Sequence, residues 1–246
     1  MDIQDQVILV TGGGTGVGRA TALQLAAQGA IVVINYSRSQ KEAEEVVYEI
    51  LQMGGTGLAY QADVSVEQEV QDLVAHIAAQ YGRVDGLVNN ASITAQIAMD
   101  NLADVTGEVW DSLFNVNVKG MFHCVKAVAP YMLRQQAGAI VNVGSVAGTT
   151  GIGSSIPYAA TKAAIHTMTK SLAIALAPYI RVNCIAPGAV DTRWWAGNEA
   201  KMHQLAGNLP LNRISTPEDI AEAIIFQLTA ASITGQVLTI DNGQTL

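Results

Sequence analysis

The chain has 246 residues, of which half are apolar and 14% charged, and it carries a formal net charge of −8. That size and composition suit one compact α/β domain, and the acidic balance disfavours a nucleic-acid backbone or an anionic membrane as partner, which leaves a small molecule as the natural ligand. No apolar run reaches the roughly 18 residues that a membrane span needs, and Met1-Asp2-Ile3-Gln4-Asp5 lacks the basic start of a signal peptide, so a soluble cytoplasmic protein is expected. Cys124 and Cys184 lie in apolar segments without CxxC spacing and are expected to be buried free thiols. His76, His123, His166 and His203 show no ligand spacing, and no metal is expected.

Val7-Ile8-Leu9-Val10 suits a strand buried on both faces; a glycine-rich turn and an apolar-periodic helix from about Val17 to Gln28 follow it. Gly29 ends that helix and Ile31-Val32-Val33-Ile34 is a second buried strand, completing a βαβ unit. The pattern recurs as a helix from Gln40 to Met53, a strand from Gly57 to Gln61, a helix from Val66 to Tyr81 and a strand at Gly86-Leu87-Val88. Strands alternating with helices in this way predict a doubly wound parallel sheet. Asp104 to Gln135 is mostly helical with a break near Asn115 to Asn117, and Ala139 to Val143 returns to the sheet. A helix from Pro157 to about Ala177, a strand from Arg181 to Ile185, a helix opened by Thr216-Pro217-Glu218-Asp219 and a last strand at Val237 to Ile240 complete the series. Residues 189–215 have no periodicity and form a candidate lid, and residues 1–246 are expected to be a single domain.

Tyr158-Ala159-Ala160-Thr161-Lys162 places a phenol and an ammonium four residues apart on one helical face. A cation beside a phenol stabilises the phenolate and brings its pKa down towards the range where proton transfer is efficient. Such spacing also arises by chance on amphipathic helices, so its weight depends on its companions. Glycines at 12, 16 and 18 after a buried strand allow a tight turn and let backbone N–H groups approach a pyrophosphate at a helix N-terminus. Ser145 closes a strand at the carboxyl edge of the sheet, where it can donate to a substrate carbonyl.

In the order Thr11-Gly12-Gly13-Gly14-Thr15-Gly16-Val17-Gly18, Asp63, Asn89-Asn90-Ala91, Asn117, Ser145, Tyr158 and Lys162, the chain resembles the single-domain short-chain dehydrogenases/reductases, from about Val7 to Asp241. The resemblance implies a Rossmann-like sheet of about seven strands in the order 3-2-1-4-5-6-7 with helices on both faces. It also implies hydride transfer between a nicotinamide cofactor and a ketone or secondary alcohol. Tyr158 would deliver the proton, Lys162 would lower its pKa and hold the nicotinamide ribose, Ser145 would orient the carbonyl, and Asn117 would kink its helix and fix a water. Gly12, Gly14, Thr15, Gly16, Val17 and Gly18 would hold the pyrophosphate, Asp63 and Val64 the adenine, Asn89 and Ala91 the adenosine ribose, and Pro187, Gly188, Val190 and Thr192 the nicotinamide end. Ser92 stands where the family usually has glycine.

The second strand ends in Asn35-Tyr36-Ser37-Arg38 without a carboxylate, so Ser37 and Arg38 are expected to receive a 2′-phosphate and NADP is favoured, with NAD possible. The family's 3-oxoacyl-carrier-protein reductases use two arginines at the active-site mouth, where this chain has Pro130 and Ile174. A free ketone or ketoester is therefore the expected substrate, with carrier-linked reduction, sugar or polyol oxidation and non-catalytic cofactor sensing as alternatives. Trp194 and Trp195 either line the pocket or pack the lid. The nearly uncharged Met168 to Ala177, with the helix around Val116 to Met132, is expected to pair with symmetry mates in a homotetramer.

Overall fold

Every side chain of Val7-Ile8-Leu9-Val10 is apolar, and a strand can bury all of them only when both its faces are covered. In the computed structural model, which describes residues 2–195, 197 and 199–246 apart from the side chains of Trp194, Glu199 and Lys201, β1 (Val7–Thr11) is buried throughout. Successive side chains point to opposite faces of the sheet. Val7 and Leu9 join one apolar core with Leu73, Met132 and Leu172, while Ile8 and Val10 join the other with Leu25, Ile50 and Ile224.

The first half of the chain supplies α1 (Gly16–Ala27), β2 (Ile31–Tyr36), α2 (Gln40–Gln52), β3 (Thr56–Gln61), α3 (Glu67–Tyr81) and β4 (Gly86–Asn89). Then come α4 (Gly107–Phe114), α5 (Met121–Gln135), β5 (Gly138–Val143), the single turn α6 (Ala147–Thr150), α7 (Ile156–Ala175) and β6 (Ile180–Pro187). The chain ends through α8 (Glu199–Gly207), α9 (Pro217–Thr229) and β7 (Val237–Ile240). All seven strands pair in parallel, as the alternating pattern predicts, and in the order β3-β2-β1-β4-β5-β6-β7 that the resemblance implies. The order reverses between β1 and β4, and their carboxyl ends open the crevice in which such folds bind ligands.

Two local readings change. The break expected near Asn115 to Asn117 is a π-helical stretch, Asn115–Gly120, that carries α4 into α5 without interruption. Gly120 is there because a Cβ would meet Val64 Cγ2 at 2.8 Å, so the widened turn lets the helix lie close to the end of β3. The candidate lid contains α8, whose Met202 is buried although its neighbours in the sequence, Lys201 and His203, are polar. Its base is clamped by the Val190–Ser215 bridge and by Asn242 Nδ2, which donates to Ser215 Oγ at 2.8 Å.

Candidate active site

The turn after β1 takes Gly12 to φ +61° and Gly16 to φ +54°, which L side chains rarely adopt. Asn90 braces it: Nδ2 donates to the carbonyls of Thr11 and Gly12 at 2.9 and 3.0 Å, and Thr11 Oγ1 accepts from Asn90 N and Ala91 N. A Cβ on Gly18 would collide with the Gly12 carbonyl and the Asn90 amide. The turn is thus pulled flat against the sheet, which leaves Gly12, Thr15, Gly16 and Val17 on the wall of a cavity of about 880 Å³.

Asp63 and Val64 line the far end of this cavity, with Ala91, Ser37 and Arg38. Asp63 is held as a turn, Oδ1 accepting from Ser65 N and Oγ at 2.9 and 2.7 Å. Three expected residues lie off the walls. Gly18 acts as the spacer just described, and Gly14 backs onto α2, where a Cβ would meet Ala43 N at 3.0 Å. Asn89 is turned into the sheet, its Nδ2 donating to Asn142 Oδ1 at 2.9 Å. The side chain of the pair that reaches the cavity is Asn90. One wall residue was missed by reading the end of β2 alone: Glu42, in the first turn of α2, faces the same space as Arg38. Its signal was its place two residues after the helix start, on the turn that follows the loop.

A second cavity, of about 370 Å³, adjoins the first and shares Val17, Asn90, Ser92, Ile93 and Thr192 with it. Ser155 caps α7, its Oγ accepting from Tyr158 N at 3.3 Å with Pro157 in the first turn, so Tyr158 and Lys162 emerge one turn apart beside this cavity. Ser145, from the loop after β5, hydrogen-bonds Tyr158 and accepts from Ala147 N at 3.1 Å. Lys162 is 3% exposed; Nζ donates to Val143 O at 3.0 Å and lies 5.5 Å from the Tyr158 ring centroid. Pro187, Gly188 and Val190 complete the adjoining wall.

Asn117 lies behind this group, in the π-helical stretch. Its Nδ2 donates to Ile93 O at 3.0 Å and Thr161 Oγ1 at 3.2 Å, and its Oδ1 accepts from Ile93 N at 2.9 Å. Ser92 turns its hydroxyl onto the same Oδ1 at 3.1 Å, which resolves where the unexpected side chain goes. One carboxamide therefore ties α7 to the segment after β4.

The electrostatics differ from the sequence expectation. Burial pushes the Tyr158 phenol above its ordinary range, with the Ser145 hydrogen bond pulling back. Burial also draws Lys162 down to about 8, with Cys184 acting the other way. In the protein itself desolvation outweighs any help the ammonium gives the phenolate, because both groups are withdrawn from water. Both thiols are buried and free, and burial raises Cys124 to about 12 and Cys184 to about 11.

Trp195 lines the second cavity, pinned by Nε1 donation to Val190 O at 3.0 Å; the Trp194 side chain falls outside the described residues. Leu205 of α8 and Gln244 of the C-terminal turn also reach it, and no periodicity in the sequence marks either.

The family model described as short chain dehydrogenase matches residues 6–203. The chain belongs to the short-chain dehydrogenase family. It is 58% identical over 129 residues to the short-chain dehydrogenase/reductase homolog YusR of Bacillus subtilis, a match covering 52% of this chain and all of that one. It is 40% identical over 245 residues to a 3-oxoacyl-[acyl-carrier-protein] reductase of Synechocystis sp., covering 98% and 97% of the two chains. A crystal structure from Burkholderia xenovorans, titled as a short-chain dehydrogenase/reductase, superposes with a TM-score of 0.92 at 34% identity over 98% of both chains. As a short-chain dehydrogenase the protein is an NAD(P)-dependent oxidoreductase acting on CH–OH or keto groups. The flattened glycine turn, with space a Cβ would fill, fits such a dinucleotide. Among the described residues no helix is long and apolar enough to cross a membrane.

Proposed function

We propose that this short-chain dehydrogenase is a single domain, with residues 189–215 as lid, that reduces free ketones or ketoesters with NADPH and oxidises the alcohols in reverse. One observation carries the reading: among the described residues Lys162 is the sole charged one on the wall of the roughly 370 Å³ cavity, which Ile152, Trp195 and Leu205 line together with Ser145 and Tyr158. Such a cavity suits a small neutral carbonyl compound.

When bound, the nicotinamide supplies the hydride. Ser145 then donates a hydrogen bond that orients the substrate carbonyl, and Tyr158, kept protonated by its burial, delivers the proton to the carbonyl oxygen. Lys162, fixed by Val143 O, biases Tyr158 electrostatically and would hold the nicotinamide ribose when the cofactor is bound. Asn117 acts as a positioning residue by locking α7 against Ile93. At the ribose end Ser37 and Arg38 supply a charge-assisted site for a 2′-phosphate, which supports NADP over NAD. Homotetrameric assembly, with α5 and α7 at one contact and α9 with β7 at the other, is part of the same proposal.

The names of several relatives, 39 to 40% identical over nearly the whole chain, favour carrier-linked 3-oxoacyl reduction as a second reading. Against it, Pro130 and Ile174 offer two exposed apolar side chains where an acidic carrier needs cations, and the net charge of −8 repels such a partner. An NADPH-oxidation panel of acetoacetyl carrier protein, a free ketoester and an aryl ketone, with a hexose in reverse, separates the readings. Turnover of a free ketone at least equal to that of the carrier substrate is expected, and turnover of the carrier substrate alone would overturn the proposal.

A further inference from the structure

The C-terminal turn after β7 is wound around one carboxylate. Asp241 Oδ1 accepts from Gly243 N at 2.9 Å, while Oδ2 accepts from Thr245 N and Oγ1 at 2.9 and 2.7 Å. That winding carries Gln244 over the loop after β6, into a slot that exists because residue 188 is glycine: a Cβ there would meet Gln244 Oε1 at 2.6 Å and Asp241 Cβ at 2.7 Å. Gln244 Oε1 accepts from Ala189 N at 2.9 Å. A backbone N–H can only donate, so the oxygen of the carboxamide faces Ala189 and the identity of its two ends is settled.

The other end, Nε2, has two N–H donors and no hydrogen-bond partner among the described residues, and Gln244 lines the cavity that holds Ser145 and Tyr158. Most other polar groups on that wall are committed. Asn90 donates to the glycine turn, Ser92 to Asn117 and the Trp195 indole to Val190 O, while Thr94 bonds Ser154. We infer that Gln244 is a specificity residue, its Nε2 donating to a second neutral oxygen on the substrate beyond the reacting carbonyl. Ketones that carry such an acceptor, of which a 3-oxo ester is the simplest probe, are then preferred over simple ketones of the same length. Gln244 is exposed and lines the cavity, so Nε2 meets water in the free protein; a substrate with that acceptor replaces the water by a direct bond, and one without it displaces the water for no return. The inference rests on the reductase reading and narrows its substrate class.

Two substitutions separate donation to substrate from docking on Ala189. Gln244→Glu keeps an oxygen for Ala189 N–H and loses both donors, whereas Gln244→Met loses both functions. The measurement is kcat/KM with NADPH for ethyl 3-oxobutanoate, for its N-acetylcysteamine thioester counterpart and for 2-heptanone, which has the ester's chain length without the second oxygen. Both variants are expected to lower the ester-to-heptanone ratio by about ten-fold, the worth of one hydrogen bond, mainly through KM. An unchanged ratio in Gln244→Glu, whatever Gln244→Met does, would overturn the assignment. If the unsubstituted enzyme reduces only the thioester, the free-ketone reading falls, and Gln244 is judged on that substrate. A ten-fold loss in Gln244→Glu with NADPH binding unchanged by fluorescence then sustains it, and unchanged thioester turnover or weakened NADPH binding overturns it.

Discussion

Lys162 is the residue whose chemistry and whose effect on stability pull in opposite directions. The residue is 3% exposed, its ammonium has one hydrogen bond to Val143 O, and burial brings its pKa from 10.5 to about 8. A cation whose folded pKa is depressed binds fewer protons in the folded than in the unfolded state between those two values. Stability therefore rises with pH from about 8 to 10.5, and the full penalty is present below 8. Lys162→Met should accordingly abolish reduction yet leave the protein more stable at pH 7. The gain is on the order of 2 kcal/mol, being the charge penalty less about 1 kcal/mol for the lost hydrogen bond. Urea unfolding at pH 7 and pH 9.5 checks it: the advantage of the variant must shrink at the higher pH. A variant equally destabilised at both would mean that the ammonium is not held at a cost.

At the scale of elements, what could be read from the sequence was what rests on local pattern, and what was missed rests on juxtaposition. Buried strands such as Val7-Ile8-Leu9-Val10 announced themselves by unbroken apolarity, and the strand order followed from the resemblance. The Tyr158 and Lys162 pair was visible because helical spacing fixes which side chains meet. Asn89 and Asn90 could not be told apart, since which of two adjacent residues faces the cavity depends on where β4 ends. Gln244 was invisible because it reaches the site from a turn 86 positions beyond Tyr158. Glu42 was missed because α2 folds its first turn back over the cavity that the end of β2 opens. A half-buried carboxylate facing the same space as Arg38 opposes a 2′-phosphate, so on the proposed NADP reading Glu42 would offset part of what Arg38 contributes. Glu42→Gln should strengthen NADPH binding by roughly three- to ten-fold and change NADH binding by less, as one like charge is removed from a partly solvated site. Titration of nucleotide fluorescence for both cofactors reads this directly, and parallel changes for the two would remove Glu42 from cofactor selection.

The whole molecule leaves apolar surface that the subunit does not cover. On α5 Phe122 is 44% exposed and Leu133 40%, and at the far edge of the sheet Phe226 of α9 is 52% and Leu238 of β7 is 37% exposed. Ile174, at 81%, stands on the outer face of α7, whose opposite face is buried through Ile165, Leu172 and Ala173. The nearly uncharged stretch of α7 is thus covered on one side only within the subunit. β7 is moreover an edge strand, with a row of backbone groups that needs protection from non-specific pairing. Exposed apolar residues on two well-separated faces match two different twofold contacts, and two perpendicular twofold axes generate a tetramer. Light scattering at micromolar concentration should therefore give four times the 25.8 kDa mass of one chain. Phe122→Glu on α5 should reduce this to two chains, since a charge at the centre of one face leaves the other contact standing, and adding Phe226→Glu should give the monomer. Each subunit contains its own Ser145, Tyr158 and Lys162, so cofactor binding should survive both steps. A monomeric parent protein, or one whose mass ignores both substitutions, would show that these faces are not where copies of the chain meet.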